Sequence, residues 1–300
     1  SKKTPSFAML LEMQRRGYTT HYLEPHDIWV QDGIIWGKMH TIDVQDNPTQ
    51  WYTVGNAIAQ PLAELDFLLM RKDPPVDMDF FYLTYLLDLA EQQGLKVFNR
   101  PSSIRDANEK LFACHFPQCT PPHVVTAQHD LIRAFLEQHP HAVIKPLNGM
   151  GGQGIFQLQA NDPNLTALLD TATDGGTTRV MVQQYLDDIQ QGDKRVIVIN
   201  GEPIPYGIAR VPAPGDFRGN LAAGATAKDI ELSERDRWIA NEVGPRLMEQ
   251  GLVFVGLDII GDYLTEINVT SPTGVREIER FRQINVLETL FDHIENTCQC

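Results

Sequence analysis

The chain has 300 residues, and 39 acidic against 25 basic side chains give a net charge of 25 − 39 = −14. At roughly 100–200 residues per domain that length suggests two or three domains, and 42% hydrophobic with 21% charged residues is an ordinary globular composition. So acidic a chain argues against a nucleic-acid binder, which needs a basic face, and the longest apolar runs, 67–70 and 252–257, fall far short of the roughly 20 residues of a membrane helix. Cys114, Cys119, Cys298 and Cys300 show no paired zinc spacing and are too few for a disulfide framework. A soluble cytoplasmic setting fits best.

The chain opens without an initiator Met, a signal segment or a strand. Ser6 is the expected cap of a helix whose apolar face holds Phe7, Leu10, Leu11 and Met13, with Gly17 as its stop. A short strand follows at 18–23. Residues 65–71 read as a buried strand, 79–93 as a helix closed by Gly94, and 95–99 as another strand. Helices alternating with apolar strands imply parallel βα units. Such sheets normally begin with a strand, so the native chain is expected to continue upstream of Ser1.

Beyond Pro101, Ser102 or Ser103 is expected to cap a helix running through Phe116, and Pro121-Pro122 breaks the chain before strand 123–126. A helix over 130–138, strand 141–147, a glycine-rich turn, strand 155–159, a helix near 165–171 and strand 179–185 come next. Asn200-Gly201, between strands 193–199 and 204–210, is a hairpin signal because Asn-Gly suits positive φ. Pro212, Pro214 and Gly215 mark a mobile loop over 211–217. Ser233 with Asp236 resembles a capping box before a helix ending at Gly251, and 252–260 with 263–269 make a last strand pair.

Gly149-Met150-Gly151-Gly152-Gln153-Gly154 matches G-x-G-x-x-G, but it sits between two strands, where a Rossmann fingerprint requires a strand followed by a helix. What remains is a hairpin tip able to cover a nucleotide's phosphates, or a plain glycine-rich turn. Lys145, flanked by apolar residues in a strand, favours the first, since a buried ammonium needs an anionic partner. Lys110 alone reads as a solvated helix residue. Near the C-terminus Asp258 ends an apolar strand, and Glu266 and Asn268 share a strand face with Leu264, with Thr265, Ile267 and Val269 opposite. Such hard oxygen ligands suit magnesium held jointly with phosphate. Arg195, Arg210 and Arg218 hint at a positive pocket in an acidic chain. His139 and His141 flank a proline and read as solvated turn residues. For Asp258 to share metal with Glu266, both must leave the same face of the last hairpin. A three-residue loop, 261–263, pairing Ile260 with Leu264, would achieve that.

The segments Asp106-Ala107-Asn108-Glu109-Lys110-Leu111, Ile144-Lys145-Pro146-Leu147-Asn148-Gly149-Met150-Gly151-Gly152, Gly192-Asp193-Lys194-Arg195, Arg218-Gly219-Asn220-Leu221-Ala222-Ala223-Gly224 and Thr265-Glu266-Ile267-Asn268-Val269-Thr270-Ser271-Pro272 resemble, in order, those of the bacterial glutathione synthetases of the ATP-grasp superfamily. Phe7-Ala8-Met9-Leu10-Leu11 and Leu69-Met70-Arg71-Lys72-Asp73-Pro74-Pro75 extend the resemblance over essentially the whole chain. Asn148 departs from it where relatives carry Asp.

The resemblance implies an α/β (α+β) fold: an N-terminal parallel-sheet βα domain over 1–105, then a two-lobed ATP-grasp fold with a central lid subdomain over 106–188 and a catalytic subdomain over 189–300. It implies ligation of γ-glutamylcysteine to glycine, with ATP as co-substrate, two Mg2+ ions (Mn2+ as an alternative) and a homotetramer. Lys110, Lys145, Gly149, Gly151, Gly152, Asp193 and Arg195 would contact ATP, with Gln183, Gln184, Tyr185 and Leu186 at the adenine. Asp258, Glu266 and Asn268 would hold the metal. Arg210, Arg218 and Asn220 would steady the acyl phosphate, and Arg71, Ser271 and Thr273 would bind substrate. The rival readings are another ATP-grasp ligase, such as a D-alanine–D-alanine ligase, and a non-catalytic ATP-binding scaffold.

Overall fold

A computed structural model of the chain describes residues 4–47 and 49–299; Ser1 and Cys300 lie outside them. Helix α1 (Pro5–Arg15) takes Thr4 as its N-cap and Pro5 in its first turn. Proline needs no N–H there, so Ser6 lies inside the helix and is not the cap. Strands β1 (His21–Tyr22), β2 (Ile28–Gln31), β3 (Ile34–Val44) and β4 (Tyr52–Pro61) build an antiparallel sheet in which β3 pairs with the other three. Strand β1 falls within the strand expected at 18–23, whereas β2, β3 and β4 were not expected. The parallel unit is β5 (Phe67–Leu69), α2 (Met78–Gln92) and β6 (Lys96–Phe98), with Phe67 beside Lys96 and Leu69 beside Phe98. Asp77 caps α2 by accepting the Phe80 N–H at 2.9 Å.

The helix expected to run through Phe116 breaks after one turn and a half. Helix α3 spans Pro101–Asp106 behind an Arg100 N-cap, and Phe112–His115 is a separate 3₁₀ turn. Between them Asn108 Oδ1 accepts the N–H groups of Lys110 and Leu111, a local bond that competes with helix. Lys110 therefore sits in a tight turn, off any helix.

A first lobe follows. Strands β7 (His123–Thr126), β8 (His141–Pro146), β9 (Phe156–Gln159) and β10 (Val180–Gln184) form an antiparallel sheet in the order β7-β10-β8-β9. Helices α4 (His129–Gln138) and α5 (Leu165–Thr173) cover one face, burying Ile132, Leu136 and Leu169 against Ala142, Ile144 and Val182.

The second lobe is the antiparallel sheet β13-β12-β11-β14-β15, from β11 (Asp193–Ile199), β12 (Glu202–Val211), β13 (Thr226–Glu231), β14 (Phe254–Ile260) and β15 (Tyr263–Asn268). Asn200 (φ +53°) and Gly201 (φ +79°) turn β11 into β12 with Ile199 opposite Glu202, as their chemistry predicts. Ser233 and Asp236 form the reciprocal capping box of α6 (Glu234–Glu249). Ile239, Val243 and Leu247 of α6 join the core with Val196, Leu257 and Ile267 of the sheet. Helices α7 (Val275–Arg282) and α8 (Glu288–Cys298) close the chain, and Leu290, Phe291 and Ile294 of α8 share a core with Ala8 and Met9 of α1.

The last hairpin differs from expectation in one respect. Its turn is the tight one, Gly261-Asp262, with Ile260 opposite Tyr263 and Ile259 opposite Leu264. The register then shifts, and Asp258 faces Glu266. The extra residue is in the strand as a bulge at Thr265, not in the loop. The shift also corrects the assignment of faces: Leu264 is fully buried and lies in the core with Ile267 and Val269.

Candidate active site

A cleft of about 610 Å³, counting its open mouth, lies between the two lobes. Val143, Lys145 and Gln183–Leu186 line it from the first lobe, and Asp193, Asp258, Thr265 and Glu266 from the second, with Phe217, Arg218 and Asn220 along the rim. Both lysines are buried. Lys145 Nζ donates to Gln183 Oε1 at 2.9 Å, and burial, only partly offset by Glu266, lowers its pKa. Lys110 Nζ donates to the Gly149 carbonyl at 2.8 Å and lies 3.6 Å from Glu266 Oε1. Two buried ammonium groups sharing so little negative charge are suited to phosphate oxygens.

The glycine loop joins β8 to β9. Gly151, Gly152 and Gly154 all have positive φ, and a Cβ on Gly152 would come within 2.5 Å of Asn220 Oδ1. The loop thus touches the segment carrying Arg218 and Asn220, an approach only glycine permits.

The charged floor is a buried network of two carboxylates and two guanidiniums. Arg195 grips Asp258 through Nε at 2.6 Å and Nη2 at 3.2 Å, while its Nη1 donates to the Thr273 carbonyl at 3.0 Å. Arg210 Nη2 lies 2.5 Å from Asp193 Oδ2 and 3.0 Å from Asp258 Oδ2. Burial alone would raise the Asp258 carboxyl, but Arg195 and Arg210 hold it well below the usual range. Burial pushes Asp193 up to about 6 against the pull of Arg210, and its Oδ1 is buried without a hydrogen-bond partner among the described residues.

Glu266 and Asn268 stand half-buried on the same face of β15, and Asn268 Nδ2 donates to the Gly256 carbonyl at 3.2 Å, which leaves its Oδ1 as an acceptor. Among the described residues no three His, Cys, Asp or Glu side chains gather as a ready-made metal cage. The donor set still fits magnesium, which takes one or two carboxylates and completes its shell with phosphate and water.

Other expected residues lie differently. Arg195, expected beside ATP, has its donors committed to Asp258 and Thr273. The N–H groups of Gln184 and Tyr185, expected to face adenine, bond to the Pro122 and His141 carbonyls at 3.0 and 3.1 Å. Arg218 is held by Asp216 of its own loop at 2.7 Å. Arg71 lies outside the cleft, with Nη2 on the Pro272 carbonyl at 3.2 Å, its guanidinium 5.3 Å from the Phe254 ring, and its pKa lowered by burial to about 10. It thereby supports the segment of Ser271 and Thr273. Burial pushes the Cys119 thiol up to about 11, in keeping with a chemistry that uses no thiol nucleophile.

Two residues escaped the sequence reading. His141, at the start of β8 where the strand over 141–147 was expected, is no solvated turn residue: it stacks on Tyr185 with ring centroids 3.9 Å apart. Glu109 Oε1 accepts from the N–H groups of Val269 and Thr270 and from Thr270 Oγ1 at 2.9–3.1 Å. The charged Glu109-Lys110 pair beside Asn108 was the available signal.

Two antiparallel lobes closing on a cleft with paired lysines, a glycine loop and an acidic strand pair define the ATP-grasp class. The ATP-grasp ligase PsnB, solved with precursor peptide PsnA2 and AMPPNP, has this fold, with a TM-score of 0.64 and 15% identity over 99% of this chain and 95% of that one. The family models for the prokaryotic glutathione synthetase N-terminal and ATP-grasp domains match residues 1–105 and 109–283. The glutathione synthetase of Coxiella burnetii is 54% identical over 92% of this chain and 86% of its own. That of Pseudomonas aeruginosa is 51% identical over 98% and 92%. The chain belongs to the prokaryotic glutathione synthetase family.

Proposed function

We propose that this protein is an ATP-dependent carbon–nitrogen ligase that joins γ-glutamylcysteine to glycine, releasing glutathione, ADP and phosphate. The observation that carries the reading is the direct opposition of Asp258 and Glu266 beneath Lys110, Lys145 and the glycine loop, in a chain of this family. A cysteinyl carboxylate oxygen attacks the γ-phosphorus and ADP leaves. The glycine amine then attacks the acyl carbon, the carbon–oxygen bond to phosphate breaks, and the nitrogen loses a proton.

Lys110, Lys145, Gly149, Gly151 and Gly152 are assigned to the phosphates. Gln183 orients Lys145, Leu186 and Tyr185 border the adenine, and the open Oδ1 of Asp193 suits a ribose hydroxyl. Asp258, Glu266 and Asn268 would hold two Mg2+ ions, which supply charge neutralisation at the transferred phosphoryl group. Arg218 and Asn220 are assigned to the acyl phosphate and oxyanion, with Arg210 contributing positive charge from the floor, where it is paired with Asp193 and Asp258. For this Arg218 exchanges Asp216 for the ligand, and residues 211–217 act as a lid against hydrolysis. Ser271 and Thr273 are assigned to the substrate end, with Arg71 bracing their segment from behind through the Pro272 carbonyl. Divisions near 105 and 188, a homotetramer and a cytoplasmic location belong to the same reading; no described helix is long and apolar enough to cross a membrane.

The test is ADP release with each substrate combination. ADP and glutathione should appear together only when γ-glutamylcysteine and glycine are both present. Equal turnover with D-alanine would move the protein to the rival ligases, and no turnover would make it a scaffold.

A further inference from the structure

The turn between α3 and the Phe112–His115 helical turn touches both halves of the nucleotide cleft. On one side Glu109 holds the end of β15: its Oε1 takes the N–H groups of Val269 and Thr270 and the Thr270 hydroxyl, and its backbone carbonyl takes the Ile267 N–H at 2.9 Å. On the other side Asn108 Nδ2 donates to the Leu147 carbonyl at 2.9 Å, at the root of the glycine loop, and Lys110 Nζ donates to Gly149. Three consecutive side chains thus tie the strand carrying Glu266 and Asn268 to the loop assigned to the phosphates.

We propose that Glu109 is a positioning residue, setting the β15 oxygens against the glycine loop so that one nucleotide–metal complex meets both at once. Carboxylate ligands depend on the groups that fix their backbone, and a shift of about 1 Å in such a support costs up to roughly 100-fold. Glu109 acts only through Ile267, Val269 and Thr270, which flank Asn268 without touching the reacting atoms. The inference rests on the ligase reading above.

The experiment compares wild type, Glu109→Ala, Glu109→Gln and Asn108→Ala, and the double variant of Glu109→Ala with Asn108→Ala. Glu109→Ala should raise the Mg2+ and ATP concentrations for half-maximal glutathione synthesis about tenfold or more, as loss of supporting bonds around metal ligands does. The KM values for γ-glutamylcysteine and glycine should hold within about twofold, while Mg-dependent binding of a non-hydrolysable ATP analogue weakens in parallel. Glu109→Gln keeps an acceptor oxygen and should recover most of the loss. Because both ends belong to one turn, the double variant should be little worse than the worse single variant. If Glu109→Ala does not fold, Thr270→Val replaces it in the same cycle. Uniform loss of kcat with unchanged Mg2+ and ATP dependence, or full additivity, overturns the proposal. Absence of glutathione synthesis in wild type would instead overturn the ligase reading.

Discussion

Asp258 and Glu266 are cross-strand partners although only the two residues Gly261-Asp262 turn the chain between β14 and β15, because Thr265 stands out of the ladder between them. The Thr265 hydroxyl donates to the Asp258 carbonyl at 3.2 Å and fastens the bulge in β15 to the facing strand β14. Thr265→Ala should therefore cost about 1 kcal/mol, the usual value of one such bond, read from urea unfolding midpoints. An unchanged midpoint would show that the bulge needs no such fastening.

The two carboxylates should respond differently to neutralisation. Asp258→Asn leaves Arg195 and Arg210 buried with only Asp193 between them, and breaking a buried pair this way costs about 3–5 kcal/mol. Glu266 forms an ion pair with Lys110, at 3.6 Å, and also acts on the Lys145 ammonium, but among the described residues no guanidinium grips it as Arg195 and Arg210 grip Asp258. Glu266→Gln should leave the melting temperature close to wild type while activity falls beyond the roughly 10–100-fold typical of outer-shell changes. Equal destabilisation by both would contradict this division.

A pH effect is expected far from the cleft. Arg15, with Arg16 and Asn285 beside it, holds the Glu12 carboxyl down at about 2 against the opposing effect of burial. A depressed carboxyl contributes stability above its unfolded value and loses it as pH falls through the folded one. The melting-temperature gap between wild type and Glu12→Gln should be full at pH 5–7 and close between about 4.5 and 2. A gap independent of pH would mean that Glu12 acts by packing alone.

Removing residues 212–216 should uncouple the two half-reactions. The shortened loop also loses Asp216, which holds Arg218. ATP should still be consumed, but glutathione formed per ADP should drop as water reaches the activated carboxylate. An unchanged ratio would remove the shielding role.

Features governed by local chemistry were legible in the sequence. Asn200-Gly201 and the Ser233–Asp236 capping box fix their own geometry within four residues, and both form as read. The glycine loop and the face shared by Glu266 and Asn268 were legible for the same reason. What escaped depends on partners distant in the chain. In β3 the buried alternation of Ile35, Gly37 and Met39 slips phase before Ile42 and Val44, where its register with β4 also shifts, so no single period marks the strand. Arg195 looked like an ATP ligand because nothing near it in sequence reveals that Asp258, 63 residues on, takes its guanidinium. Glu109 likewise meets its partners about 160 residues away.

In the proposed reaction the cysteinyl carboxylate is activated as an acyl phosphate in this cleft. γ-Glutamylcysteine labelled with 18O in that carboxylate, turned over with ATP and glycine, tests it directly. The label should pass to inorganic phosphate, seen as an isotope shift in the phosphorus spectrum, with glutathione retaining the other oxygen. Glutathione formed while phosphate stays unlabelled would contradict the account.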